Sequence, residues 1–132
     1  MSYNEKLNIL FVDDSSVIRE LVESALIELG YMHIQGAEDG VEALALSKQE
    51  EYDFIITDIN MPNMDGIELI RRLRNTLDYM STPIMVLTTE WSQEMKNMGK
   101  EVGATSWIVK PFNTELLGRA IIETIQKVEE ND

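Results

Sequence analysis

Asn8-Ile9-Leu10-Phe11-Val12-Asp13-Asp14-Ser15-Ser16 is an unbroken apolar run that stops abruptly at two acids and two serines. Apolar residues in succession, with no polar alternation, describe a strand covered on both faces. The polar stop suits a turn that can cap a helix. Ile18, Leu21, Val22, Ala25, Leu26 and Leu29 then recur at three- and four-residue steps, and Gly30 supplies the helix stop. A buried strand leading straight into an amphipathic helix begins a parallel crossover.

The same alternation continues outward. Tyr31 to Gln35 reads as a weaker second strand. Asp39-Gly40-Val41-Glu42 forms a capping box with Asp in the cap role, opening a helix through Ala43, Leu44, Leu46 and Ser47. Asp53-Phe54-Ile55-Ile56-Thr57 is a third strand, ending at Asp58. Asn60-Met61-Pro62-Asn63-Met64 is a loop, because Pro62 has no N–H and disfavours helix at Met61. Asp65 and Glu68 mark another helix start, backed by Ile67, Ile70 and Leu73. Thr82-Pro83 leads into Ile84-Met85-Val86-Leu87, which ends at Thr88-Thr89. A helix of mixed character from about Ser92 to Glu101 closes at Gly103, and Trp107-Ile108-Val109 is the last strand. Asn113 or Thr114 caps a final helix with Leu117, Ile121, Ile125 and Val128 on one stripe. Glu129 to Asp132 form a short, fraying acidic tail. Strand and helix alternating five times predict an α/β fold, a parallel sheet with helices on both faces and right-handed crossovers.

The chain has 132 residues, enough for one domain, and no linker, repeat or low-complexity tract divides it. With 44% hydrophobic and 27% charged residues it is expected to fold as a globule. There is no cysteine, which excludes disulfides, thiol nucleophiles and zinc ribbons. The single histidine, His33, lies in the second strand and reads as a structural or surface residue. Asp and Glu number 24 against 11 Lys and Arg, a formal charge of −13 that repels nucleic acid and anionic membranes. No apolar run approaches a membrane span, and Met1-Ser2-Tyr3-Asn4-Glu5 lacks the cationic and apolar blocks of a signal peptide. The expectation is a cytoplasmic monomer whose partners are proteins or small ions.

In an open α/β sheet, ligands bind beyond the carboxyl ends of the strands, near the reversal of strand order. Asp13-Asp14, Asp58, Thr88 and Lys110 all fall at such ends. One of them alone would be an ordinary exit into a polar turn. Acids, a hydroxyl and an ammonium arriving together point to a site. Neighbouring carboxylates repel, so the site must take up a proton or bind a cation. All-oxygen ligands suit a hard cation, and Mg2+ suits a shallow polar edge better than Ca2+, since no loop has EF-hand spacing. The combination implies phosphoryl chemistry. Asp58, single and central, is the expected nucleophile and would form an acyl phosphate. Asp13 and Asp14 are placed to hold metal, while Lys110 and Thr88 bind phosphoryl oxygens. Neither G-x-x-x-x-G-K-S/T nor G-x-G-x-x-G occurs, so no nucleotide is expected here.

Four stretches carry a family resemblance: Phe11-Val12-Asp13-Asp14-Ser15, Thr57-Asp58-Ile59-Asn60-Met61-Pro62-Asn63-Met64-Asp65-Gly66-Ile67-Glu68-Leu69, Leu87-Thr88-Thr89-Glu90 and Trp107-Ile108-Val109-Lys110-Pro111-Phe112. In order and spacing, over nearly the whole chain, they resemble the receiver domains of two-component response regulators, most of all the single-domain chemotaxis regulators. The resemblance implies a flavodoxin-like, doubly wound five-stranded parallel sheet in the order 2-1-3-4-5 with five helices. It implies one receiver domain over 1–132, with its core at about 7–128.

The resemblance also implies a signalling switch, with only self-phosphorylation and autodephosphorylation chemistry. Asp58 would accept phosphate from a phosphohistidine on a chemotaxis-type sensor histidine kinase. Asp13, Asp14 and Asp58 would hold Mg2+, Asp14 more directly than Asp13, and the backbone carbonyl of Asn60 would add a ligand. Lys110 would contact the phosphoryl group, and its bond to Pro111 would be cis. Thr88 would swing toward a phosphoryl oxygen and Trp107 would follow it inward. The fourth helix, fifth strand and fifth helix would then present a changed face to a downstream protein such as the flagellar motor switch. Asn60 and Glu90, two residues beyond the acceptor and the threonine, would tune dephosphorylation. Many chemotaxis regulators carry tyrosine where this chain has Trp107; an indole is bulkier and only donates a hydrogen bond.

Other readings are weaker. A receiver acting as a phosphate sink or relay is the alternative, and the intact acids, threonine and lysine speak against signalling without phosphate. An aspartate-nucleophile phosphatase of the haloacid dehalogenase type would need D-x-D-x-T/V and length for a cap, whereas Asp13 and Asp14 are adjacent. A flavodoxin-like electron carrier would place uncharged groups, not Asp13-Asp14, against a flavin phosphate. Met85 reads as core, and Met95 and Met98 of the fourth helix read as inward-packing too, with an adaptable partner surface as the other reading.

Overall fold

A computed structural model describes residues 6–130. In chain order the elements are β1 (Asn8–Val12), α1 (Ser16–Glu28), β2 (His33–Ala37), α2 (Gly40–Gln49), β3 (Phe54–Thr57), α3 (Gly66–Arg74), β4 (Ile84–Thr88), α4 (Gln93–Val102), β5 (Ser106–Val109) and α5 (Thr114–Glu130), with one 3-10 turn at Leu77–Tyr79. All strands are parallel, in the order β2-β1-β3-β4-β5. This is the flavodoxin-like doubly wound fold. β1, β3 and β4 are buried almost throughout, as their continuous apolar sequences require, while the edge strands β2 and β5 are partly exposed. Strand order reverses between β1 and β3, so their carboxyl ends lie side by side at the switch point.

Successive strand residues face opposite ways and feed two apolar layers. Ile9, Phe11, Ile56 and Leu87 pack with Val22 and Leu26 of α1 and Leu117 and Ile121 of α5. Leu10, Val12, Ile55 and Val86 pack with Ala43 of α2 and Ile67, Ile70 and Leu73 of α3, with Met95 of α4 and Trp107 of β5 at the margin. Each helix starts on a side chain that takes an otherwise orphaned N–H. Ser15 accepts from Ile18, Asp39 from Glu42, Asp65 from Glu68 and Ser92 from Met95. At α5 the cap is Asn113, whose Oδ1 accepts the Leu116 N–H at 2.7 Å.

Three local expectations change. β2 starts two residues later than the pattern suggests, because Tyr31 finishes α1: its N–H donates to the Leu26 carbonyl at 3.0 Å and its ring is buried in the core. Glu129 and Glu130 belong to α5 rather than to a tail, and Asn131 and Asp132 lie outside the described residues. Met85 and Met95 turn inward, but Met98 is 40% exposed. The inward face of α4 runs through Met95, Gly99 and Val102, and Met98 stands at the margin of that stripe, turned toward solvent. His33 is exposed on β2. Among the described residues, no helix is long and apolar enough to cross a membrane.

Gly66, at the start of α3, presses backbone against backbone. Its N–H donates to the Ile59 carbonyl at 2.9 Å, and a Cβ at this position would lie 2.1 Å from the Asp58 carbonyl oxygen. Gly66→Ala is therefore expected to cost about 1–3 kcal/mol. Urea denaturation checks this: the midpoint should fall with the slope unchanged.

Candidate functional site

Asp13, Asp58 and Lys110 each sit just beyond a strand and are held by one more parallel-ladder hydrogen bond. Asp13 N–H donates to the Ala37 carbonyl at 3.1 Å, Asp58 N–H to that of Val12 at 2.9 Å, and Lys110 N–H to that of Thr88 at 2.8 Å. The sheet thus delivers residues far apart in sequence to one edge. One carboxylate oxygen each from Asp13, Asp14 and Asp58 lies within 4.8 Å of the other two. Asp13 and Asp58 are buried and Asp14 is exposed.

The Lys110 ammonium sits against this cluster, 2.7 Å from Asp13 Oδ2 and 3.0 Å from Asp58 Oδ2. The Ile59 N–H donates to Asp58 Oδ1 at 2.6 Å, so both oxygens of Asp58 are engaged. Ser15 N–H donates to Asp13 Oδ1 at 2.9 Å. Burial pushes the Asp13 carboxyl above the usual carboxylate range, with the Asp58 charge adding to it, against downward pulls from Lys110 and the Ser15 N–H. Burial pulls the Lys110 ammonium down, but hydrogen bonds and charges from Asp13 and Asp58 outweigh it and hold Lys110 above the usual lysine value.

Three carboxylates against one ammonium leave room for a divalent charge, and an all-oxygen donor set suits a hard cation. The residues present therefore fit Mg2+.

A sequence profile of the response regulator receiver domain matches residues 9–122. The chain belongs to this family. It is 34% identical over 125 residues to chemotaxis protein CheY-3 of Vibrio cholerae serotype O1, covering 95% of this chain and 96% of the relative. It is 38% identical over 112 residues to the chemotaxis protein CheY homolog of Campylobacter jejuni subsp. jejuni, covering 84% and 86%. The crystal structure of Vibrio cholerae CheY4 at low pH is 47% identical, with a TM-score of 0.82 over 92% of this chain and 98% of that one. A CheY-like receiver from Methanospirillum hungatei is 27% identical, with a TM-score of 0.85 over 96% and 98%. Receivers of the CheY type are signalling switches rather than conventional enzymes, and receiver domains bind Mg2+ at an acidic pocket.

In this receiver the remaining motif residues form a second group around Glu90. The Glu90 N–H donates to the Thr88 hydroxyl at 3.2 Å, and its carbonyl accepts the Trp107 indole N–H at 2.9 Å. Its carboxylate accepts the Asn60 amide at 2.9 Å. Trp107 is partly buried, and its ring fills the space that a Cβ on Gly99 would enter, 2.5 Å from the nearest ring carbon. Thr88 is fully buried. The Lys110–Pro111 bond is cis.

Sequence reasoning missed three contributors. The Ile59 N–H is backbone and carries no residue-type signal. Gly99 shows only as a helix glycine, until the indole beneath it is seen. Arg19 has no place in the apolar period of α1, and its guanidinium donates to the Asp13 carbonyl at 2.7 Å.

The raised Asp13 value has a consequence for stability. A carboxyl that titrates higher in the folded chain than in the unfolded one binds more protons when folded, so stability falls as pH rises through that window. In metal-free buffer at about pH 7, Asp13→Asn should therefore be more stable than the wild type. The gap should close toward pH 3.8, the ordinary aspartate value, where the wild type is protonated as well. Urea titrations across that range measure it, and added MgCl2 should reverse the order by stabilising only the wild type.

Proposed function

We propose that this receiver is a phosphorylation-operated switch in chemotaxis signalling, with Asp58 as the acceptor. The observation that carries the reading is the convergence on Asp58 of a lysine ammonium, a backbone N–H and two further carboxylates at the switch point of the sheet. Asp58 attacks phosphorus through a carboxylate oxygen, forming an O–P bond while the imidazole nitrogen of a phosphohistidine leaves with the electron pair. Asp13, Asp14 and Asp58, with the backbone carbonyl of Asn60, would hold Mg2+, which when bound neutralises phosphoryl oxygens. Lys110 stabilises the same charge from the β5 side by a charge-assisted hydrogen bond.

Phosphorylation then biases two packings of one loop. Thr88 turns its hydroxyl from the Glu90 N–H to a phosphoryl oxygen. Glu90 is released at its nitrogen, and Trp107, bonded to its carbonyl, follows. The hydrogen-bonded Asn60 and Glu90 side chains stand beside the acceptor and tune the approach of hydrolytic water. The readout is the face of α4, β5 and α5. An open groove of about 960 Å³ runs along this face, carrying Lys96, Lys100 and Lys127 beside Trp107. On a chain of net charge −13 such a concentration of cations favours a protein partner with acidic contacts. A phosphate sink would need no such face, which supports the switch reading over the sink.

CheY homologues interact with a kinase and with downstream targets. For this chain the kinase is proposed to be a chemotaxis-type sensor histidine kinase and the target a protein such as the flagellar motor switch. The setting is the cytoplasm, and the working unit is one monomeric receiver domain with its core at about 7–128.

The direct experiment is phosphate uptake from a small acyl phosphate with MgCl2. Asp58→Asn should fall below about a tenth of wild-type incorporation, and undiminished uptake would reject Asp58 as the acceptor. Tryptophan emission should change when MgCl2 and beryllium fluoride, a phosphoryl mimic, are added together to the wild type. No change in a folded sample would favour a phosphate-independent receiver.

A further inference from the structure

Arg19 lies on the second turn of α1 and folds back over the start of its own helix. Its Nη1 donates to the Asp13 carbonyl at 2.7 Å, and its Nη2 stands 3.7 Å from Glu38 Oε1 in the loop between β2 and α2. The Arg19 side chain is only 21% exposed, whereas Glu38 is 71% exposed. An ion pair that long, to a carboxylate in water, contributes little. What holds the guanidinium in place is its charge-assisted bond to the carbonyl.

That carbonyl belongs to the peptide joining the two adjacent acids. The other polar atoms of Asp13 are already committed: its N–H to Ala37, Oδ1 to the Ser15 N–H and Oδ2 to Lys110. Arg19 takes the last one. Asp14 is held differently. It is exposed, and among the described residues no hydrogen bond fixes its carboxylate, yet one of its oxygens lies within 4.8 Å of those of Asp13 and Asp58. A peptide unit is planar, so pinning the Asp13 oxygen also fixes where the Asp14 Cα stands, the root from which its side chain reaches the other two acids.

We propose that Arg19 is a positioning residue of the metal pocket, fixing the Asp13–Asp14 peptide so that the Asp14 carboxylate faces the other two. The proposal rests on the reading that these acids hold a divalent cation. Its sign separates it from a simple field effect. A guanidinium beside carboxylates weakens their hold on a cation by Coulomb repulsion, so deleting its charge would tighten Mg2+ binding. Loss of positioning does the opposite.

The test is calorimetric titration with MgCl2 alone, in parallel with metal-free melting temperatures. Arg19→Gln should raise the apparent Kd for Mg2+ about tenfold, the low end of what loss of an outer-shell partner does. Arg19→Lys keeps the charge and one donor but not the planar fork, and should fall between Arg19→Gln and the wild type. Glu38→Gln should stay within about twofold of the wild type, because its pair is loose and solvated. An unchanged or tighter Kd in Arg19→Gln overturns the proposal. Should that variant fail to fold, Arg19→Lys decides: a Kd above the wild-type value supports positioning, and an equal one overturns it. Asp14→Asn run alongside tests the underlying reading. Mg2+ binding that survives Asp14→Asn unweakened sinks the pocket and the proposal together, whereas binding lost there but insensitive to Arg19 sinks the proposal alone.

Discussion

Folding brings three carboxylates within 4.8 Å of one another, and two of them are buried. Unrelieved, that arrangement would be driven apart or forced to take up protons. The Lys110 ammonium, bonded to Asp13 and Asp58, makes it tolerable and still leaves the cluster short of positive charge. The same imbalance that burdens the fold makes the edge attractive to a divalent cation, and a cation held there would in turn offset the charge of a phosphoryl group. Stability and function thus pull on one set of charges, in opposite directions.

The scaffold answers that pull with rigid backbone. Asp13, Asp58 and Lys110 each use a ladder hydrogen bond past the end of a strand, so their origins cannot drift relative to one another. Gly66 lets α3 begin directly against the Asp58 carbonyl, and the Thr57 hydroxyl donates to that same carbonyl at 2.8 Å. The β4–α4 loop is held by side chains instead. There Glu90 is gripped through its N–H, carbonyl and carboxylate by Thr88, Trp107 and Asn60. These are exchangeable hydrogen bonds, the kind of contact that the proposed switch would trade for bonds to a phosphoryl group.

Much of the architecture was legible before any coordinates. Periodicity located the central strands closely, because β1, β3 and β4 are covered on both faces and carry no polar interruptions. It failed at β2, where an edge strand alternates weakly and Tyr31 looks like strand while plugging the core at the end of α1. It failed again at Met98, which shares the helical period of Met95, Gly99 and Val102 but stands at the margin of their stripe, and period alone does not tell how wide a stripe the sheet covers. At the site, residue types at strand ends marked Asp13, Asp14, Asp58, Thr88 and Lys110 as a group. The backbone N–H of Ile59, the space at Gly99 and the backward reach of Arg19 carry no such mark.

Sequence alone determined the class of fold, the acids and lysine at the strand ends, and the chemistry those groups can support, because hydrophobic period and residue type are local properties of the chain. Tertiary structure alone decided which oxygen meets which donor. It placed Lys110 between Asp13 and Asp58, closed Trp107 onto the Glu90 carbonyl over a glycine, and turned a helix arginine back onto the Asp13 carbonyl. Those pairings join residues up to 97 positions apart. They arise from sheet register and side-chain packing, which no local pattern encodes.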